Sequence, residues 1–135
     1  MIVDTSALLA FFHPKESHHR SVYALLREAR EPLIVSPYVL AELDYLVATR
    51  AGVANELAVL RELLSRAWTL ASVSRAQLDE AVDLIDRYAD QGIGLADAVN
   101  VALANANRTR RIATLDHRHF SVLRLADGAP VEIVP

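Results

Sequence analysis

The chain is 135 residues long, 53% of them hydrophobic, with 17 acidic against 14 basic side chains and no cysteine. That length fits one domain with a sizeable core, the missing cysteines exclude a disulfide framework and any thiolate ligand or nucleophile, and a formal charge of −3 argues against a large basic surface for duplex DNA. No apolar run approaches the roughly 20 residues of a membrane span and no basic-plus-apolar leader precedes Asp4, so the expectation is a single cytoplasmic domain over residues 1–135 with no membrane partner.

Met1–Asp4 reads as a first short buried strand, followed by a helix over Ala7–Phe12 that stops before Pro14. His18–Ala29 is helical, with Val22, Leu25, Leu26 and Ala29 on one face. Leu33–Val35 reads as the second strand. Ser36 and Pro37 then start a helix as N-cap and first helical residue, running to about Arg50 with Gly52 as its stop. Asn55–Ala67 is a further helix that aligns Leu57, Leu60 and Leu64, and Trp68–Ala71 is a short strand. Ser74 caps a helix to about Ala89 with Leu78, Val82, Ile85 and Ala89 facing inward. Leu95–Ala106 is almost wholly apolar and therefore a buried helix. Arg111–Leu115 and Val131–Val134 are the last strands. No repeat, low-complexity stretch or linker interrupts the series. Strands alternating with helices predict an α/β fold with a mainly parallel sheet, and ligands of such sheets bind beyond the carboxyl ends of the strands.

Two of those strands run into an aspartate: Asp4 in "MIVDTSALL" and Asp116 in "RIATLD". Helix capping at Asp4 and a simple turn at Asp116 are the plain explanations. Glu42, in "SPYVLAELDYL", follows Val39 by three residues and precedes Leu46 by four, which places it on their core-facing stripe. A carboxylate there is costly unless paired or metal-bound; a rim position or an arginine partner is the alternative. Asp97 lies in the first turn of the greasy helix, where the helix dipole favours it, and Asn100 shares its face three residues on. All four acids belong at one edge of a parallel sheet. Gathered there, they repel and raise one another's pKa. A hard divalent cation relieves that strain, since Mg²⁺ and Mn²⁺ prefer carboxylate and water oxygens, and such a centre suits phosphodiester hydrolysis.

Taken in order and spacing over essentially the whole chain, "MIVDTSALL", the glutamate of "SPYVLAELDYL", "GLADAVNVALA" and "ATLDHRHF" resemble the PIN-domain ribonucleases, and most of all the VapC toxins of bacterial toxin–antitoxin pairs. The resemblance implies a three-layer α/β/α sandwich around a mainly parallel sheet. It implies a Mg²⁺- or Mn²⁺-dependent endoribonuclease that inhibits translation by cutting structured RNA, a tRNA or the sarcin–ricin loop of ribosomal RNA, with nothing in the residues to select between them. Asp4, Glu42, Asp97 and Asp116 would form the acidic pocket. Asp4 and Asp97 lead as metal ligands; Glu42 and Asp116 complete the site directly or through water, with Asp116 counted among the ligands. Ser6 and Thr114 fall where small polar residues support the pocket, and Asn100 and Arg118 are further supporting or RNA-contacting candidates. The same likeness implies a VapB-type antitoxin as partner, and a homodimer.

All five histidines fall in two clusters, His13, His18 and His19 after the first motif and His117 and His119 after Asp116. With Lys15, Arg20, Arg108, Arg110, Arg111 and Arg118 they would form a basic rim that holds phosphates, against the plain reading of a solvated surface. Their spacing matches no standard zinc pattern. Asp79, Asp83, Asp86 and Asp90 read as a solvated helix face rather than a second metal site. Leu57, Leu60 and Leu64, with Tyr45 and Trp68, are either core or part of a dimer surface.

Two other functions compete. A phosphatase that phosphorylates Asp4, as in haloacid-dehalogenase-like enzymes, needs a second aspartate two residues on; Ser6 stands there, and Lys15 is the only lysine. A non-catalytic partner- or RNA-binding module on the same fold has no use for four converging acids.

Overall fold

The structure is a computed structural model and describes all 135 residues. Five strands form one sheet: β1 (Ile2–Val3), β2 (Ile34–Val35), β3 (Thr69–Leu70), β4 (Arg111–Ala113) and β5 (Glu132–Val134), in the order β3-β2-β1-β4-β5. Every pairing is parallel, with Ile2 opposite both Ile34 and Ile112. The helices are α1 (Thr5–Phe12), α2 (His19–Glu28), α3 (Pro37–Ala51), α4 (Val53–Leu63), α5 (Arg75–Arg87), α6 (Leu95–Ala106) and the single turn α7 (His117–Phe120), with a 3₁₀ turn at Ala89–Gln91.

Side chains of the strands alternate between two cores. Met1, Val3, Leu33, Val35 and Ala113 join α1, α2, α3 and α4 on one face. Ile2, Ile34 and Ile112 join α5, α6 and α7 on the other. This is the expected three-layer sandwich, and it explains the unbroken apolar runs: a strand buried on both faces has no polar side. The sheet is wholly parallel rather than mainly so. Ile2 is completely buried, and its truncation to alanine is worth about 2–5 kcal/mol.

Local chemistry sets the helix boundaries. Ser36 Oγ accepts the Val39 N–H at 3.1 Å, with Pro37 in the first turn. Ser74 and Gln77 cap α5 reciprocally. Gly52 ends α3 at φ 79°, a left-handed conformation that a side chain resists, and α4 begins at the next residue. As predicted, α6 is buried, continuously from Ala98 to Ala104.

Several expectations need correction. α4 begins two residues earlier and ends at Leu63, four residues earlier than the periodicity suggests. Its buried positions are Val59 and Leu63, while Leu57 and Leu64 are exposed, so those two leucines are not core. Trp68 is core and Tyr45 is exposed. The buried face of α5 is centred on Ala81 and Leu84; Val82 faces solvent, and Ala89, also exposed, lies past the helix in the 3₁₀ turn. Asp79, Asp83, Asp86 and Asp90 are exposed, as a solvated face requires. No helix is long and apolar enough to cross a membrane.

Candidate active site

Strand order reverses direction between β1 and β4: β2 and β3 lie on one side of β1, β4 and β5 on the other. A crevice opens at such a switch point, outside the carboxyl ends of the two strands. Asp4 follows β1 directly and Asp116 lies just past β4, while the Asp4 N–H donates to Ala113 O at 2.9 Å and ties the two ends together. The first turn of α6 brings Asp97 to the same place.

Each of these three aspartates also has a modest structural role, which at Asp116 is a helix cap where a simple turn was expected. Asp4 N-caps α1, Asp116 N-caps α7 by accepting the His119 N–H at 3.0 Å, and Asp97 accepts the Gly94 N–H ahead of α6 at 3.2 Å. Capping and site-building coincide because helices that follow parallel strands all present their positive N-terminal ends at this edge.

Asp4 is 5% exposed and held from four directions. Its Oδ2 accepts from Ser6 Oγ at 2.7 Å, Thr114 Oγ1 at 2.9 Å and the Ser6 N–H at 3.3 Å; its Oδ1 accepts from Asn100 Nδ2 at 3.2 Å. Each hydroxyl spends its only proton on Asp4 and then accepts a backbone N–H, Leu115 onto Ser6 at 2.9 Å and Asp116 onto Thr114 at 3.0 Å. Ser6 and Thr114 therefore lock the loop after β4 to the Asp4 carboxylate. Asn100 is completely buried, and its Oδ1 has no donor.

Asp97 is the perturbed group. Its pKa is raised from 3.8 to about 6, by burial first, then by the charge of Asp4 and, to a lesser degree, Asp116, against the Gly94 N–H and His119, which lower it. The expected mutual repulsion is thus present at Asp97. One oxygen each of Asp97 and Asp116 and a ring nitrogen of His119 lie within 4.8 Å of one another. His119 Nδ1 is 2.9 Å from Asp116 Oδ2 and 3.2 Å from Asp97 Oδ2, with an aligned hydrogen bond to neither.

The donor set fits a hard divalent cation: carboxylate oxygens from two elements, a third carboxylate behind them, and an excess of negative charge where the only nearby compensation is one imidazole.

Glu42 departs from expectation. α3 buries Val39, Leu43 and Val47, and Glu42 sits about 100° before Leu43, so it is exposed at the rim of the stripe rather than on it. It still reaches the site: Thr5 Oγ1 donates to its Oε2 at 2.5 Å, next to Asp4 in the chain.

Comparison with known proteins settles the family. The PIN domain profile matches residues 1–125. The chain is also 53% identical to the ribonuclease VapC26 of Mycobacterium tuberculosis over 135 residues, the full length of both. The chain belongs to the PIN-domain family, among its VapC members. Its fold resembles that of the sarcin–ricin-loop-cleaving toxin VapC20 of M. tuberculosis, with a TM-score of 0.80 and 21% identity over 86% of this chain and 89% of that one. It also resembles VapBC2 of Rickettsia felis bound to a promoter DNA fragment, at 0.70 and 18% over 99% and 98%.

The rest of this PIN domain's surroundings separate rim from scaffold. Arg118 is exposed on α7, two residues after Asp116. Arg111 is not part of the rim: it begins β4, at the opposite end of the sheet, where it pairs with Glu31 and Glu132. Arg110 is taken up by Asp127 at 3.2 Å. His19 Nδ1 bonds the Ala10 carbonyl oxygen at 2.8 Å, a structural role, and His13 and His18 are exposed. Sequence reasoning placed His119 in a phosphate-holding rim and missed its place among the acids. Its signal was present in "LDHRHF": three residues after Asp116, one helical turn returns it to the aspartate's face.

Proposed function

We propose that this PIN domain is the endoribonuclease toxin of a VapBC-type pair, dependent on Mg²⁺ or Mn²⁺, with Asp4, Asp97, Asp116 and Glu42 as its acidic pocket. The ribonuclease assignment follows the family and the full-length likeness to VapC26. The observation that carries the metal dependence is Asp97, a half-buried carboxylate pushed up to about 6 by burial and by two neighbouring aspartates.

A divalent cation bound there would activate water and neutralise charge on the scissile phosphate. Asp97 and Asp116 would hold it, and Asp4 would add its charge from behind, kept in one orientation by Ser6, Thr114 and Asn100. Glu42 would act from the open side, steadied by Thr5. Arg118 would meet backbone phosphates as they approach. The substrate is structured cellular RNA in the cytoplasm, a tRNA or the sarcin–ricin loop.

The VapBC complex among the structural neighbours supports a VapB-type antitoxin as partner. Exposed Tyr45 on α3, Val53 and Leu57 on α4 and Leu64 at its C-cap are large apolar groups that a homodimer contact would cover.

Purified, antitoxin-free protein on total bacterial RNA tests the activity. Discrete fragments that need Mg²⁺ or Mn²⁺, vanish with chelator and vanish in Asp4→Asn are expected. Cleavage that persists in chelator would sink the metal reading, and no cleavage under any metal would leave a binding module.

A further inference from the structure

We infer that His119 is a direct ligand of the divalent ion, which gives the centre a nitrogen donor and a preference for Mn²⁺ over Mg²⁺. The inference rests on the metal-centre reading above and adds to it a residue outside the acidic set.

Spacing comes first. Ligands about 2.1 Å from an octahedral ion stand about 3.0 Å apart when adjacent and about 4.2 Å apart when opposite. His119 Nδ1 lies 2.9 Å from Asp116 Oδ2 and 3.2 Å from Asp97 Oδ2, and one ligand atom from each of the three residues lies within 4.8 Å of the other two. Direction comes second. Nδ1 is shielded from solvent yet aligned with neither oxygen. An imidazole held by hydrogen bonds to its carboxylate neighbours would point at one of them; a ligand's lone pair points at the ion they share. Anchoring comes third. The backbone N–H of His119 is fixed on Asp116 Oδ1 at 3.0 Å, so the cap of α7 sets the ring beside the aspartate whose other oxygen faces it.

A nitrogen donor changes which ion is favoured. Both ions favour oxygen ligands, but Mn²⁺, the first-row transition ion of the two, accepts an imidazole nitrogen more readily than Mg²⁺ does. The same site without the ring would be an all-oxygen centre.

Mn²⁺ binding followed by electron paramagnetic resonance tests this, with pulsed detection of nitrogen coupling in protein carrying ¹⁵N-histidine. His119→Gln and His117→Gln are compared with the parent chain, each checked for folding by circular dichroism, and Mn²⁺ and Mg²⁺ affinities are measured by calorimetry. The expected result is one directly bound histidine nitrogen in the parent and in His117→Gln, none in His119→Gln, and a loss of at least about tenfold in Mn²⁺ affinity with a smaller loss for Mg²⁺. Mn²⁺ bound without nitrogen coupling in the parent chain, or coupling that survives in His119→Gln, overturns the ligand role and leaves the carboxylate centre standing. Failure of the parent chain to bind either ion overturns both. If His119→Gln does not fold, His119→Asn takes its place, and absence of nitrogen coupling in the parent chain overturns the ligand role in either case.

Discussion

The two ends of the sheet treat partly buried carboxylates in opposite ways. At the amino ends of the strands, Glu31 is pushed up by burial but pulled down more strongly by the Met1 ammonium, 2.9 Å away, and by the Arg111 guanidinium, so its pKa falls below 4.5 overall. At the carboxyl ends, Asp97 is pushed up by burial and again by Asp4 and Asp116, and rises to about 6. The same side-chain chemistry on the same scaffold is stabilising at one end and strained at the other. The difference is the local supply of positive charge: Glu31 has an ammonium and a guanidinium, whereas Asp97 faces two further carboxylates and one imidazole. Strain of this kind collects at functional sites.

The contrast can be broken most sharply by removing acids from the strained end. Asp97→Asn and Asp4→Asn should each lower RNA cleavage by at least about a hundredfold, measured as initial rates at saturating Mg²⁺ and Mn²⁺. Rates within a few fold of the parent would deny the carboxyl end its function.

The second effect is on stability, and its sign is unusual for a site mutation. Because the folded pKa of Asp97 lies above 3.8, the folded state holds that proton more tightly than the unfolded chain does. Its contribution to stability is therefore lost as pH rises from about 4 through about 6, and stays lost above. Asp97→Asn, which cannot ionise, should raise the melting temperature of the metal-free protein at pH 7.5 by roughly 5 °C, with the gain gone at pH 4. Saturating Mn²⁺ should stabilise the parent chain and reverse the ranking. A mutant less stable than the parent at pH 7.5 without metal would mean that Asp97 is not strained.

Thr5→Val sharpens the question of which acids belong to the centre. It keeps the shape of a buried residue and removes the hydroxyl that holds Glu42. Loss of one hydrogen bond to a charged group predicts a fall of about tenfold in kcat, with Mn²⁺ affinity unchanged. An unchanged kcat would place Glu42 outside the working site.

The smallest effect belongs to the satisfied end. Arg111→Ala should destabilise the fold by about 1 kcal/mol at pH 7, since the pair is partly exposed, and leave cleavage per folded molecule as it was. Glu31's contribution is present above about pH 4.5 and lost as pH falls through its lowered folded value. The cost of the mutation should therefore fade in acid, opposite to the pH dependence at Asp97. A loss of metal affinity in Arg111→Ala would show the two ends to be coupled.

Local signals in the chain were enough for the layer architecture. Apolar triplets between helical periods imply strands buried on both faces, and a strand ending in Asp4 or Asp116 implies an acid at the ligand-binding edge whatever the packing details. The Ser36–Pro37 start, the Gly52 stop and the buried α6 follow from capping and composition, which act within a few residues. Periodicity was weaker for amphipathic helices with more than one apolar stripe. α4 carries Val59 and Leu63 beside Leu57 and Leu64, and only docking against the sheet chooses which pair is buried.

The site shows the same division. Its acids could be read one by one, because each sits next to an element boundary that the sequence marks. Their geometry could not. Glu42 lies at the rim because α3 turns on Leu43, Arg111 lies at the far end because β4 runs away from the acids, and His119 reaches Asp97 because α6 and α7 meet across the sheet edge. Sequence by itself determined the fold class, the family and three aspartates at one edge, since these depend on short-range pattern. Tertiary structure alone decided which of the gathered groups touch, and so that Asp97 bears the strain and that an imidazole stands among the carboxylates, since contact between residues far apart in the chain depends on packing.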